Sequence, residues 1–413
     1  MEFTHVRILF ISTGPWGTGS FTMIKGLTKE FLKLGHEIKI LFPDSNFESI
    51  DKDEYYKNPE LYYIWEFPIK NESTTLTTFP LMITDPHPRN PTPITFKDLT
   101  DDQFDLYEKE LTKHIVHLIH LFKPDIIECH HIWFSSWICC RLGVDYCAVA
   151  HHSDQLGFHY DPRMKLRALA SAEAAKKIIT VSESGKREIM RLYHVKESKI
   201  LVIANGYDKD IFNLHEVNRE SVLKQLGVEI PPDAPIVSFS GKLSRTKGID
   251  ILLQANKLLD PKRNIHFLIM GAGDIEKACE KLDPDSYSVN NLHFVGHLIP
   301  EMLSDVQNIC KLGVMPSRSE GFGISCLEAM GCGVPMVVSR CGGPEHFAVG
   351  KIISVGSAKE LATGIIEILN LSKNDYQKLS VEALNAAMKF SWKSIAEEHL
   401  HVYEQILADK KNK

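Results

Sequence analysis

The chain has 413 residues, 44% hydrophobic and 24% charged, which is an ordinary globular composition and enough for two or three domains. A net charge of −6 argues against a general nucleic-acid binder, and no apolar run approaches the roughly 20 residues of a membrane span. Nine cysteines, odd in number and without a C-x-x-C pair, fit free thiols in a reducing compartment better than a zinc site or a disulfide framework, so a cytoplasmic location is expected.

The opening MEFTHVRILFIS lacks a signal-peptide pattern and reads as a first buried strand, Val6–Ser12. A turn carrying Gly14, Gly17 and Gly19 follows. Phe21, Ile24, Leu27, Phe31 and Leu34 then recur at the helical period, predicting a helix over about 20–34, and Glu37–Phe42 gives a second strand. A glycine loop at the carboxyl end of a strand is where open α/β sheets bind ligands. Lys25, Lys29 and Lys33 share one helix face. That pattern is a solvated face, or a peripheral contact with an anionic membrane surface.

Residues 44–105 read as irregular, rich in Asp, Pro and Thr, with Pro86-His87-Pro88-Arg89-Asn90-Pro91 in the second half. A loop of this length could shape an acceptor pocket. Phe104–Phe122 predicts an amphipathic helix ended by Lys123-Pro124. Strands at Asp125–Cys129 and Cys147–Ala150 run into His130-His131 and His151-His152. Neighbouring strand residues face opposite ways, so each pair offers at most one inward ligand, and a metal site is not expected. Ser182 reads as a helix N-cap, a strand lies near Ile200–Ile203, and Asn205-Gly206 marks a turn.

A polar linker over 213–234 leads to a second set of units. Ile236–Ser240 ends in Gly241-Lys242-Leu243-Ser244-Arg245-Thr246-Lys247-Gly248 and a helix, Ile249–Leu258. His266–Met270 runs into Gly271-Ala272-Gly273-Asp274, and Leu292–Val295 follows. Repeated strand-loop-helix units in both halves predict an α/β protein of two Rossmann-like, doubly wound parallel-sheet domains facing across a cleft.

The densest signal is Val314–Pro344. An apolar run ends at Pro316, a small-residue loop holds Glu320-Gly321-Phe322-Gly323, a helix spans about Ile324–Met330, and a strand, Met336–Ser339, leads to Gly342-Gly343-Pro344. Loop amides and a helix N-terminus of roughly +0.5 charge face an anion together in such a unit. A carboxylate there repels phosphate, so Glu320 points to sugar hydroxyls. Glu328, in an otherwise apolar helix, would cost several kcal/mol if buried unpaired and so needs a ligand of its own.

This stretch resembles the signature of family 4 glycosyltransferases, a retaining family with the GT-B fold. It carries Pro316-Ser317, Glu320-Gly321-Phe322-Gly323, Leu327-Glu328-Ala329-Met330, Gly333 and Pro335, with seven residues between the two glutamates. Asn205-Gly206-Tyr207-Asp208 with Phe212 resembles the family's crossing into its second domain, with Tyr207 for the usual Val. Gly241–Gly248 resembles its diphosphate-binding loop, with Lys247 matched and Lys242 in place of Arg. Lys lacks the bidentate fork of Arg, and Arg245 is a candidate to compensate. Phe390-Ser391-Trp392 and the closing helix, to about Leu407, resemble the family's last helix, with 410–413 expected to be disordered. The resemblance is weakest over 44–105 and around 345–358, which looks trimmed.

The resemblance implies an acceptor-side domain over 1–212, joined by 391–413, and a donor-binding domain over 213–390. It implies a sugar moved with retention of configuration from a nucleoside-diphosphate sugar, foremost a UDP-sugar, to a hydroxyl acceptor. That acceptor could be a glycan, a lipid-linked group or a small molecule. Glu320, His152 and Lys247 would be catalytic, with His151 the second choice for the histidine. Gly17, Gly19, Lys242, Arg245, Lys247, Gly321, Phe322, Gly323 and Glu328 would bind the donor. No cofactor is implied.

A leaving nucleoside diphosphate carries roughly three negative charges. Lys242, Lys247 and two helix N-termini of roughly +0.5 each approach balance without a metal. The D-x-D triplets Asp51/Asp53, Asp208/Asp210 and Asp283/Asp285 sit in polar connections and are not read as metal sites. The competing readings are a sugar phosphorylase or nucleotide-sugar epimerase on the same fold, and a non-catalytic nucleotide-sugar-binding subunit.

Overall fold

The computed structural model describes residues 5–45, 58–70, 75–76, 79–87, 90, 92 and 94–411. Among these, the chain divides into two compact units. One comprises residues through Asn205 and the segment from Trp392 onward, and the other is Gly206–Ser391.

The first unit holds β1 (Arg7–Ile11), β2 (Glu37–Ser45), β3 (Tyr62–Phe67), β4 (Ile126–His130), β5 (Cys147–Ala150), β6 (Lys177–Thr180) and β7 (Ile200–Val202), in the order β3-β2-β1-β4-β5-β6-β7. Every pairing is parallel. The strands read as continuous apolar runs because both faces are covered. Leu9, Ile11, Ile127 and Cys129 point into one core, while Ile8, Phe10, Ile40 and Ile126 point into the other.

The second unit holds β8 (Ile236–Ser240), β9 (His266–Met270), β10 (Leu292–Gly296), β11 (Leu312–Met315), β12 (Met336–Ser339) and β13 (Gly350–Ile353), in the order β10-β9-β8-β11-β12-β13. These pairings are parallel too. Val237, Phe239, Phe267 and Val314 face one core and Ile236, Leu268 and Met270 the other.

Several expectations need correction. Residues 44–105 are not uniformly irregular: β2 runs on to Ser45, and Tyr62–Phe67 adds an edge strand in register with it, Ile40 opposite Tyr62 and Ser45 opposite Phe67. Its YYIWEF sequence is aromatic and β-branched, which suits a strand. Leu76, Phe79, Leu81 and Phe96 are buried farther along this stretch. Asp51, Asp53, Pro88, Arg89 and Pro91 lie outside the described residues. The helix expected from Phe104 begins at Asp101, because Thr100 accepts from Gln103 N and Gln103 returns a bond to Thr100 N. The stretch around 345–358 holds β13.

The unit boundary falls after Asn205, not after 212. Tyr207 N donates to Phe390 O at 3.1 Å, and a Cβ on Gly331 would lie 2.5 Å from the Tyr207 ring and 2.8 Å from Phe212 O, so residues 206–212 pack with the second unit. The closing helix runs from Trp392 to Lys411, so the expected disorder at Lys410 and Lys411 is replaced by helix. Asn412 and Lys413 lie outside the described residues. This helix packs on helix Gly19–Lys33, where Gly26 makes room for the Trp392 ring. No helix among the described residues is long and apolar enough to cross a membrane.

Candidate active site

Each sheet reverses its strand order once, between β1 and β4 and between β8 and β11. At such a switch point the loops leaving the strands' carboxyl ends diverge and open a crevice. In the second unit those loops are Gly241–Gly248 and Ser317–Gly323. Gly248 has φ +74, and a Cβ there would stand 2.0 Å from Pro316 O, so the two loops touch only because that residue is glycine.

Across this contact Lys247 Nζ donates to Glu320 Oε1 at 2.7 Å, and Ser317 Oγ donates to the same oxygen at 2.9 Å. The Glu320 side chain is 9% exposed. A clamp that the sequence reading missed holds the pair. Asp250, fully buried in the first turn of helix Ile249–Leu258, accepts both Nη1 and Nη2 of Arg318 at 2.7 Å each. Arg318 also donates to Arg245 O at 2.5 Å, and its backbone N donates to Thr246 O at 2.8 Å. The signal in the sequence was an Asp inside the apolar run IDILL. Arg245 turns toward the same carboxylate, with Nη1 3.6 Å from Asp250. Its guanidinium is thus turned toward Asp250, while Lys242 is half-buried on the same loop.

Glu328 lies on helix Ile324–Gly331, which Gly323 caps with φ +98. It has no hydrogen-bonding or ionic partner among the described residues, and burial pushes its carboxyl up to about 7. Phe322 turns inward, its ring 4.7 Å from that of Phe347 and 5.7 Å from that of Phe390. It therefore anchors the loop, leaving backbone as what the Gly321–Gly323 stretch offers a ligand.

In the first unit the corresponding loops are Thr13–Thr18 and the turn after His130, tied by Thr13 Oγ1 donating to His130 O at 2.9 Å. Gly17, at φ +83, and Gly19, which opens its helix, are exposed, and a Cβ on either would meet nothing within 4 Å. The expected alternation of the histidines fails at the end of β4. His131 leaves the strand at φ +83, so both His130 and His131 are buried, and both rings pack on His151, at 5.1 and 4.8 Å. Asp154 fixes the arrangement by accepting Ile132 N at 2.9 Å and His151 N at 3.0 Å. Burial pushes its carboxyl up to about 6 although those amides oppose the shift. His151 is committed inward, and His152, at φ +74, caps helix Ser153–Tyr160.

Two of the D-x-D triplets close their own turns. Asp208 accepts Asp210 N and Asp283 accepts Asp285 N, each at 3.0 Å. No group of three His, Cys, Asp or Glu among the described residues could hold an ion. None of the nine cysteines is in a disulfide.

Two family models match the chain: Glycosyltransferase Family 4 over residues 17–211 and Glycosyl transferases group 1 over 225–385. An uncharacterized glycosyltransferase of Methanocaldococcus jannaschii is 27% identical over 307 residues, 68% of this chain and 75% of that protein. The alpha-maltose-1-phosphate synthase of Mycolicibacterium smegmatis is 27% identical over 320 residues, 67% of this chain and 78% of that protein. Among solved structures, sucrose-phosphate synthase from Thermosynechococcus elongatus superposes with a TM-score of 0.74 at 19% identity, covering 98% of this chain and 100% of that one. Anabaena HepE, in complex with UDP and glucose, gives 0.72 at 16% identity, covering 97% and 100%. With two parallel-sheet domains and a match to a family model in each, the chain belongs to glycosyltransferase family 4, has the GT-B fold, and is a glycosyltransferase.

Proposed function

We propose that this enzyme moves a sugar from a nucleoside-diphosphate donor, foremost a UDP-sugar, to a hydroxyl acceptor, with retention of configuration and without a metal. The observation that carries the reading is the Lys247–Glu320 pair, which joins a cation and a carboxylate from the two loops flanking one switch point. A diphosphate entering there draws Lys247 onto its oxygens and leaves Glu320 to accept donor sugar hydroxyls. Lys242 and the Gly321–Gly323 backbone complete the diphosphate cradle, with Arg245 at its edge. Glu328, desolvated and unpartnered, suits two ribose hydroxyls once ionised. Gly17 and Gly19 keep the first unit's crevice open, and His152 contacts the donor sugar there.

Sugar transfer passes through an oxocarbenium-like state while the leaving diphosphate gains charge. Two lysines and the helix N-terminus at Gly323 offset that charge. The leaving phosphate itself takes the acceptor's proton, in same-face attack. Nine thiols outside any disulfide suit a cytoplasmic enzyme.

The deciding experiment is a thermal-shift panel with UDP, GDP, ADP, CDP and their common sugar conjugates, each with and without a chelator. The expected result is stabilisation by one nucleotide family that survives chelation. Stabilisation only with a divalent ion would overturn the metal-free site, and none with any nucleotide would overturn the donor assignment.

A further inference from the structure

The loop that follows β12 stands against the Glu320 loop, yet sugar transfer as read above gives it no part. The strand's pairing with β13 ends at Ser339 opposite Ile353, and Arg340 N makes one more bond, to Ile353 O at 2.8 Å. Beyond it the backbone leaves the sheet. Gly342 has φ +109, a value that a Cβ would strain, and Gly343 has φ −129 with ψ −79.

Three contacts join this loop to the one after β11. A Cβ on Gly343 would stand 2.8 Å from Phe322 O and 2.9 Å from Phe322 Cα, so backbone meets backbone there. Glu320 N donates to Cys341 O at 3.5 Å. A Cβ on Gly323 would lie 3.4 Å from Pro344 Cβ. The loop after β12 is therefore a wall on which the backbone of residues 320–323 rests.

Such a wall is only as firm as its own conformation, and the sheet no longer holds it past Arg340. Glu345 does. Both of its carboxylate oxygens accept from Gly342 N, at 2.9 and 3.1 Å. A bond from an amide to a carboxylate is roughly twice as strong as one between neutral groups. Pro344, whose ring fixes φ, sets the backbone just before it. Just after it, the Phe347 ring stacks on that of Phe322 at 4.7 Å. The segment that faces Phe322 is thus pinned at one end by Glu345 and at the other by Phe347. A glutamate that closes its own turn is ordinary. What this turn touches is not, because it is the backbone that carries Glu320.

We propose that Glu345 is a positioning residue for sugar transfer: by tying Gly342 N it holds the loop after β12 against Phe322, and so sets the place of Glu320 and of the Gly321 and Gly323 amides. Its carboxylate acts through the loop and not on the substrate. The inference rests on the sugar-transfer reading for its effect on turnover, but not for the contact between the loops.

The test uses the full-length chain labelled with 15N-glycine and, in separate samples, with 13C-carbonyl cysteine or 13C-carbonyl glutamate. Cys332-Gly333 and Cys341-Gly342 are the two Cys-Gly pairs in the sequence, and Glu320-Gly321 is the one Glu-Gly pair. Carbonyl-filtered amide spectra therefore isolate Gly342 and Gly321. Gly333, identified by its loss in Cys332→Ser, is the internal control. In Glu345→Ala the Gly342 amide proton should move upfield and the Gly321 amide should move with it, while Gly333 stays. In Glu345→Gln, which keeps an oxygen at the same reach, both shifts should be smaller. An unmoved Gly342 overturns the tie, and an unmoved Gly321 overturns its transmission to the Glu320 loop.

Hydrolysis of UDP-glucose by water then separates positioning from support. In Glu345→Ala kcat should fall roughly 10- to 100-fold, the size expected of a displacement of about 1 Å. KM should change less, because Lys242 and Lys247 lie on the loop after β8. Glu345→Gln should recover most of the loss. A lower melting temperature with kcat per folded enzyme unchanged, or a Gln variant no better than Ala, overturns the proposal. Should Glu345→Ala fail to fold, Glu345→Gln decides alone: displaced Gly342 and Gly321 amides with a smaller loss of kcat support the proposal, and wild-type kcat overturns it. Absence of any UDP-glucose turnover in the wild type would count against the donor assignment, while the amide spectra still decide the contact.

Discussion

At the second unit's switch point, the loops after β8 and β11 carry Lys247, Glu320, Arg318 and Asp250, joined in ion pairs of 2.7 Å. At the first unit's switch point, the loops after β1, β4 and β5 carry hydroxyls, glycines and three neighbouring histidines, of which His130 lies 3.2 Å from the buried Glu128 carboxylate. The first arrangement stores cations where an anionic leaving group would arrive. The second places packed imidazole rings and open glycines at the same point of the topology. One strand topology therefore presents two different environments, set by a few residues just beyond the strands.

The largest expected effect comes from breaking the charged side. Glu320→Ala should lower turnover by roughly 100- to 1,000-fold while leaving nucleotide affinity near wild type, the size seen when a group acting on the transition state is removed. Steady-state kinetics beside a nucleotide titration check this, and equal losses in both would move Glu320 from turnover to binding. Next is the clamp. Asp250→Asn removes the charge that holds Arg318 and Arg245, and should cost about 3 kcal/mol of stability, the low end for a broken buried pair because both arginines reach solvent. Lys247→Ala combined with Asp250→Asn should then lose less turnover than the sum of the single changes. Strict additivity would reduce the clamp to a local staple.

Glu328→Ala should weaken nucleotide binding by roughly thirtyfold, about 2 kcal/mol for lost charge-assisted hydrogen bonds. Its pH dependence sharpens the comparison. With the folded carboxyl raised to about 7, its contribution to stability is fully present below its ordinary range and is lost as pH rises through about 7. Nucleotide affinity runs the opposite way, because the ionised form is the one that accepts ribose hydroxyls. Affinity should rise as pH passes through about 7, and Glu328→Gln should flatten that rise in calorimetric titrations.

The smallest effect belongs to the first unit's frame. A Cβ on Gly26 would stand 2.2 Å from the Trp392 ring, so Gly26→Ala should cost about 1–2 kcal/mol of stability through overpacking. The loss would be read as a lower melting temperature with nucleotide affinity unchanged.

Legibility differed between the two regions for a physical reason. In the second unit the candidate site residues sit inside short runs, Gly241–Gly248 and Pro316–Pro335, so strand, turn glycines and charges could be read together. In the first unit the groups that meet are far apart in sequence. Glu128 meets His399 and Tyr403, more than 270 positions away, and Glu128 showed itself only as an acid in an apolar strand. The alternation rule for His130 and His131 failed because one residue of positive φ at the strand end turned the second ring inward.

By itself the sequence determined the two α/β units, most strand positions, the glycine loops and the acidic and basic residues of the second unit's loops. These follow from local periodicity and turn chemistry, which act over a few residues. Only the tertiary structure decided that Arg318 and Asp250 lock those loops together, that Phe322 faces inward, that His151 is held by a buried carboxylate, and that residues 206–212 belong with the second unit. Those outcomes depend on which distant side chains are brought within hydrogen-bonding reach, and no local pattern encodes that.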